Sequence, residues 1–147
     1  MPLSKEVLKQ RQHELIKLFN SAPIKQTTGM NLSYDENGSA IFEMPYNPSL
    51  NNGLGIIHGG VISILLDNAG WFTVAPHFDK WVATAELQAR LLEPVEKIDL
   101  YSKGFILRAG KRIVMAQMEV RTKDEKLIAV GSGTFVVTSV QMPKAKD

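Results

Sequence analysis

Read for its alternation of apolar and polar positions, the chain opens with an amphipathic segment and closes with a train of period-two strands. Ser4 can cap a first helix in which Leu8, Gln12, Leu15, Ile16 and Phe19 fall near one face, with Lys9, Arg11, Glu14 and Lys17 outside. That pattern stops at Asn20-Ser21-Ala22-Pro23. Ile24 to Tyr34 reads as extended, Asp35-Glu36-Asn37-Gly38 predicts a hairpin turn, and a strand follows from Ser39 to Tyr46, ended by Pro45 and Pro48. A loop holding Asn47, Ser49, Asn51, Asn52, Gly53 and Gly55 then leads into His58-Gly59-Gly60 and an apolar helix from Val61 to Val74.

Beyond Ala75-Pro76 the period changes. Strands are expected at Trp81 to Leu92, Ile98 to Leu107, Arg112 to Thr122 and Leu127 to Ser139, with turn signals at Glu93-Pro94, Ala109-Gly110-Lys111 and Lys123-Asp124-Glu125-Lys126. The last three should form a meander. Strict alternation from Trp81 puts Ala83, Ala85, Leu87, Ala89 and Leu91 on one face and Thr84, Glu86, Gln88 and Arg90 on the other, so the alanines would leave room for a closely packed helix. Hairpin, long apolar helix and four strands make an α+β order, with one sheet curled around one helix. No repeat or linker interrupts it. The expected organisation is one domain over residues 1–147: an N-terminal helix to 23, a core over 24–140 and a tail over 141–147.

Composition narrows the chemistry. Hydrophobic residues make up 44% of the chain and charged ones 22%, which is globular rather than disordered. A net charge of +2, dispersed along the sequence, does not supply the clustered cations of a nucleic-acid groove. The absence of cysteine excludes disulfides, a thiolate nucleophile and thiolate metal sites. Met1-Pro2-Leu3-Ser4-Lys5-Glu6 lacks the apolar core of a secretory signal, so a cytoplasmic location is expected. The longest apolar stretch, Gly59 to Pro76, approaches membrane-spanning length but carries Asp67 and Asn68 in its middle, which suits a buried soluble helix and no membrane partner.

Two features of that helix carry chemistry. Gly59 and Gly60 at its start can serve packing alone, or can expose the first helical N–H groups, which lack internal acceptors and carry the positive end of the dipole, to a carbonyl or oxyanion. Asp67 follows Ile64-Leu65-Leu66 on a helix with hardly any polar face. It can pair with a cation or cap a neighbouring loop; alternatively, burial raises its pKa and makes it a base or nucleophile near neutral pH, with Thr84 or Gln88 holding a water. Gly59 and Asp67 are eight residues apart, about 12 Å along the axis and about 80° in direction. One carbonyl cannot touch both within one chain. A shared site therefore requires a second copy of the helix, and a symmetric dimer would hold two equivalent sites.

The three histidines, His13, His58 and His77, show no metal-ligand spacing, and no metal or other cofactor is expected. His58 can shape the loop before it or touch substrate. There is no Gly-x-Ser-x-Gly elbow for a serine hydrolase, and Gly53-Leu54-Gly55 lacks the remaining parts of a dinucleotide loop.

Asn52-Gly53-Leu54-Gly55-Ile56-Ile57-His58-Gly59-Gly60, six further residues, and Asp67-Asn68-Ala69-Gly70 resemble the signature of PaaI-like, phenylacetate-pathway hotdog thioesterases of the 4-hydroxybenzoyl-CoA thioesterase superfamily. The likeness continues through Ala83-Thr84-Ala85-Glu86-Leu87, the Pro94 turn and Gly110-Lys111. It implies a hotdog fold and hydrolysis of an acyl-CoA thioester. By position it implies that the Gly59 amide polarises the carbonyl beside Gly60, helped by Asn52, with His58 shaping the loop. Asp67 of the partner subunit would act as nucleophile or general base, with Thr84 placing water. Glu86 falls in the matched substrate-side stretch, and coenzyme A contacts map to the turn holding Arg108, Gly110, Lys111 and Arg112, where cations suit phosphates. A homodimer with shared sites, and its pairing into a tetramer, belong to the same expectation. Two other functions compete: a non-catalytic acyl-CoA binding or sensing domain, and an acyl-thioester hydratase or dehydratase.

Overall fold

The computed structural model describes residues 2–146; Met1 and Asp147, the two ends of the expected domain, lie outside the described residues. Helix α1 (Lys5–Ser21) starts at Ser4, whose hydroxyl accepts from Val7 N at 3.3 Å, and it buries Leu15 and Phe19. The segment expected to be extended from Ile24 instead begins with a short helix, α2 (Pro23–Thr28). Proline at its first turn gives up an N–H that the helix would leave unpaired, and Gly29, at φ 72°, closes it in the left-handed conformation.

Strands β1 (Asn31–Tyr34) and β2 (Ala40–Met44) then pair across the expected turn, where Asp35 Oδ1 accepts from Asn37 N and Ser39 N, each at 2.9 Å. Helix α3 (Gly59–Val74) starts two residues earlier than its apolar run predicts, because His58 caps it. Strands β3 (Lys80–Leu91), β4 (Leu100–Ala109), β5 (Ile113–Arg121) and β6 (Leu127–Gln141) complete one antiparallel sheet in the order β1-β2-β4-β5-β6-β3. No helix is long and apolar enough to cross a membrane among the described residues.

Helix α3 lies on the inner face of this curved sheet. The closeness comes from glycine rather than from the alanines of β3. A Cβ on Gly104 of β4 would collide with the carbonyl of Ala69, and one on Gly70 would stand 2.7 Å from Phe135 Cζ and 2.8 Å from Met118 Sδ. The far half of α3 is sealed by α1, with Phe19 edge-on to Phe42 at 5.0 Å and to Phe72 at 5.5 Å. Burying a side chain of this size stabilises the fold by about 1.5–3 kcal/mol.

Strand β3 departs from the predicted alternation. Thr84 pairs with Phe135 but Glu86 pairs with Thr134, so Ala85 is an extra residue in a β-bulge. Phe135 lies against Gly70 of α3 and Gly131 against Leu66, which marks their partners, Thr84 and Ala89, as facing the helix. The bulge thus puts Thr84, Leu87, Ala89 and Leu91 on the inner side together, and leaves Ala83, Glu86, Gln88 and Arg90 on the outer one. Among the described residues β3 has no strand neighbour beyond β6: it is a sheet edge twelve residues long.

Candidate active site

The first turn of α3 is built by His58. Its backbone is extended (φ −60°, ψ 131°), its Nδ1 accepts from Gly60 N at 2.8 Å, and its carbonyl accepts from Val61 N at 2.9 Å and Ile62 N at 3.3 Å. Gly60 is close enough that a Cβ there would stand 3.0 Å from the imidazole. Of the leading N–H groups, that of Gly59 has no hydrogen-bond acceptor among the described residues. It carries the positive end of the helix dipole. His58 thus caps the helix start through its ring, while its own N–H donates to Leu50 O at 3.0 Å and ties it to the loop before.

Asn52 shapes that loop. Its Oδ1 accepts from Leu54 N at 2.9 Å and Ile56 N at 3.2 Å, and Gly55 takes the left-handed conformation that the turn requires, at φ 80°. The acceptor end of Asn52 is therefore occupied, and its Nδ2 remains as the donor it can offer.

Asp67 is half-buried on α3, just over two helical turns on. Its Oδ1 accepts from Thr84 Oγ1 at 2.8 Å, a contact that exists because the bulge turns Thr84 inward without turning Leu87 outward. Burial pushes the Asp67 carboxyl above the usual carboxylate range, and the Thr84 hydrogen bond opposes part of that rise. None of the ion pairs among the described residues includes Asp67, so a cation partner is not what holds it there.

The structure brings Asp67 and Thr84 together and keeps Gly59 about 12 Å away along the same helix. It takes Glu86 elsewhere. Glu86 lies on the outer face, where its Oε1 accepts from Gln88 Nε2 at 2.8 Å, and Gln88 is removed with it as a holder of water at Asp67. Arg108, Lys111 and Arg112 are exposed around the β4–β5 turn, where Gly110 N donates to Ile113 O at 2.9 Å. The register runs Thr84, Phe135, Val114, Ala109 across four strands, so this turn stands about 14 Å from Thr84 at the same end of the sheet. No group of three or more side chains able to hold a metal is present among the described residues.

Concavities open elsewhere. One of 390 Å³ lies between Arg11 and Leu15 of α1 and Met142 near the C-terminus, and another of 460 Å³ lies over Tyr101, Lys103, Phe105 and Arg121. Neither is lined by Gly59 or Asp67. Sequence reasoning passed over one neighbour of the helix start, Leu91, whose Cδ1 stands 2.7 Å from where a Gly59 Cβ would be. Strict alternation placed that leucine on the face opposite Thr84, and nothing local signals the bulge.

Residues 54–129, which include Gly59, Asp67 and Thr84, match the family described as the thioesterase superfamily. The chain belongs to the thioesterase superfamily. A candidate esterase of Saccharolobus solfataricus is 33% identical over 111 residues, covering 72% of this chain and 78% of its own. The PaaI protein of the E. coli phenylacetic acid degradation operon superposes with a TM-score of 0.83 at 16% identity, over 94% of this chain and 98% of its own. A Bacillus halodurans protein solved with CoA gives 0.77 at 25% identity, over 93% and 94%. The fold of this superfamily member is the hotdog, a curved antiparallel sheet around one long helix with an added N-terminal helix. Superfamily membership sets its chemistry as hydrolysis of thioesters in general.

Proposed function

We propose that this chain hydrolyses an acyl-CoA thioester to a free carboxylic acid and coenzyme A, at sites shared between two copies of the chain. The observation that carries the reading is Asp67: a half-buried carboxylate with a raised pKa, held by Thr84 and by no cation, on the same helix as the open Gly59 N–H. In the proposed site the Gly59 N–H donates to the thioester carbonyl oxygen and strengthens its grip as that oxygen becomes negative. Asp67 of the partner subunit attacks the carbonyl carbon or removes a proton from the attacking water, and the coenzyme A thiolate leaves. The bare edge of β3 beside Asp67 supports the pairing, because an uncovered edge of this length presents unpaired backbone groups to a second strand. The basic Arg108–Arg112 turn is within reach of the nucleotide phosphates of a pantetheine-linked substrate.

Thiol release from a panel of short, medium and aromatic acyl-CoAs is the first test; binding without turnover across the panel favours a sensing domain instead. Subunit mixing tests the shared site. Gly59→Pro removes the N–H at a first helical position where proline is tolerated, after an extended His58 that suits it, and its Cβ also displaces the tip of Leu91, an effect that Gly59→Ala measures separately. Alone Gly59→Pro should lower kcat by about 100-fold, and Asp67→Asn by at least as much. Mixed dimers of the two variants hold one intact pair, so equal mixing should restore about a quarter of the wild-type rate. Absence of restoration between chains that do exchange, or full activity in a monomer by light scattering, would remove the shared site.

A further inference from the structure

Leu91 ends β3 with 48% of its surface exposed, yet its Cδ1 fills the space beside the Gly59 Cα where a side chain would begin. Gly59 does not adopt a positive φ, so its backbone conformation does not demand glycine; a side chain there would instead have to push the tip of Leu91 aside. The bulge at Ala85 is responsible, since without the extra residue Thr84 and Leu91 would face opposite sides of the sheet. One irregularity therefore sets both contacts: Thr84 with Asp67, and Leu91 with Gly59.

An N–H donor that faces developing negative charge is more effective with an apolar flank, because excluded water neither competes for the donor nor screens the charge. We propose that Leu91 is a positioning residue of the thioester site: its isobutyl group walls off one side of the Gly59 N–H and fixes the side from which the carbonyl approaches. The inference rests on the acyl-CoA thioesterase reading.

The test is a double-mutant cycle on Gly59→Ala and Leu91→Ala, followed by steady-state kinetics with the best acyl-CoA of the panel. Leu91→Ala should lower kcat by about 10-fold while KM stays within about twofold, as expected for a group that acts on the reacting carbonyl and not on coenzyme A. Gly59→Ala displaces the leucine and should cost a similar factor. In the double variant the new methyl occupies the vacated space, so the loss should not exceed that of either single variant. Leu91→Met should stay within about twofold of wild type. Losses that multiply in the double variant, or an unchanged kcat in Leu91→Ala, overturn the proposal. So does a Leu91→Ala variant that loses dimer mass with its activity, which would make the leucine an interface residue. A wild-type protein that turns over no acyl-CoA overturns the underlying reading, a result distinct from any of these.

Discussion

Along α3, every residue from Ala69 to Val74 is buried, whereas from Gly59 to Asn68 the buried Ile62, Leu65 and Leu66 alternate with partly or fully exposed positions. In the far half each polar group has a partner: Thr73 Oγ1 donates to Ala69 O at 2.6 Å and accepts from Ala40 N at 2.9 Å, and Trp71 Nε1 donates to Val82 O at 2.6 Å. In the near half, among the described residues, the Gly59 N–H has no acceptor, and Asp67 has one hydroxyl and no cation. On the proposed reading, a single helix keeps stability and chemistry at opposite ends. Substitutions should separate the two properties.

The largest effect is expected where the sealed half meets the sheet. Gly104→Ala drives a methyl into the Ala69 carbonyl, a backbone atom that cannot yield, and should destabilise by about 3 kcal/mol or more in urea unfolding. Asp67→Asn should do the reverse, lowering kcat by about 100-fold while leaving the fold intact. Its melting temperature should even match or exceed that of wild type at pH 7. Burial raises the folded-state pKa of Asp67, so ionising it opposes folding; that cost is absent below the unfolded pKa and grows as pH rises through the folded one. The gap between variant and wild type in a pH series of melts should therefore close towards acid. An Asn variant markedly less stable at neutral pH would make Asp67 a structural residue and blur the division between the halves.

Thr84→Ala is the next smaller perturbation. It removes a hydrogen bond that lowers the Asp67 pKa, so the acid limb of the pH–rate profile should move to higher pH, with kcat reduced by about 10-fold at its plateau. The smallest effect should come from the basic turn: Lys111→Ala with Arg112→Ala should raise KM several-fold, on the order of 3–10-fold, and leave kcat unchanged.

The large elements of the fold were legible because hydrophobic period reports burial, and burial is what α3 and the four later strands have in common. Helix α2 was missed because six residues hold too few turns to show a period, although Pro23 at its start and Gly29 after its end are the marks of a helix boundary. Asp67 stood out as a carboxylate in an apolar run, and the eight-residue spacing from Gly59 followed from helix geometry alone. The faces of β3 did not follow from sequence. A bulge leaves no local residue signal when its extra residue is an alanine in ordinary strand company, so Thr84 and Leu91 were assigned to opposite sides and Glu86 was grouped with the substrate stretch. His58 and Asn52 were identifiable as polar residues near the glycines, but which atom accepts from which N–H depends on a turn that only coordinates define.

The eight-residue interval between Gly59 and Asp67 acts as a gauge. Inserting one residue anywhere within it would advance Asp67 by about 1.5 Å and swing it by about 100°, off Thr84. In the proposed two-fold dimer that error would be made twice, once in each direction, so no shift of one subunit against the other would correct both sites. The bases of this helix's gene can therefore drift in identity far more freely than in number, and a length change here should be rarer among functional descendants than any single replacement on its exposed stripe.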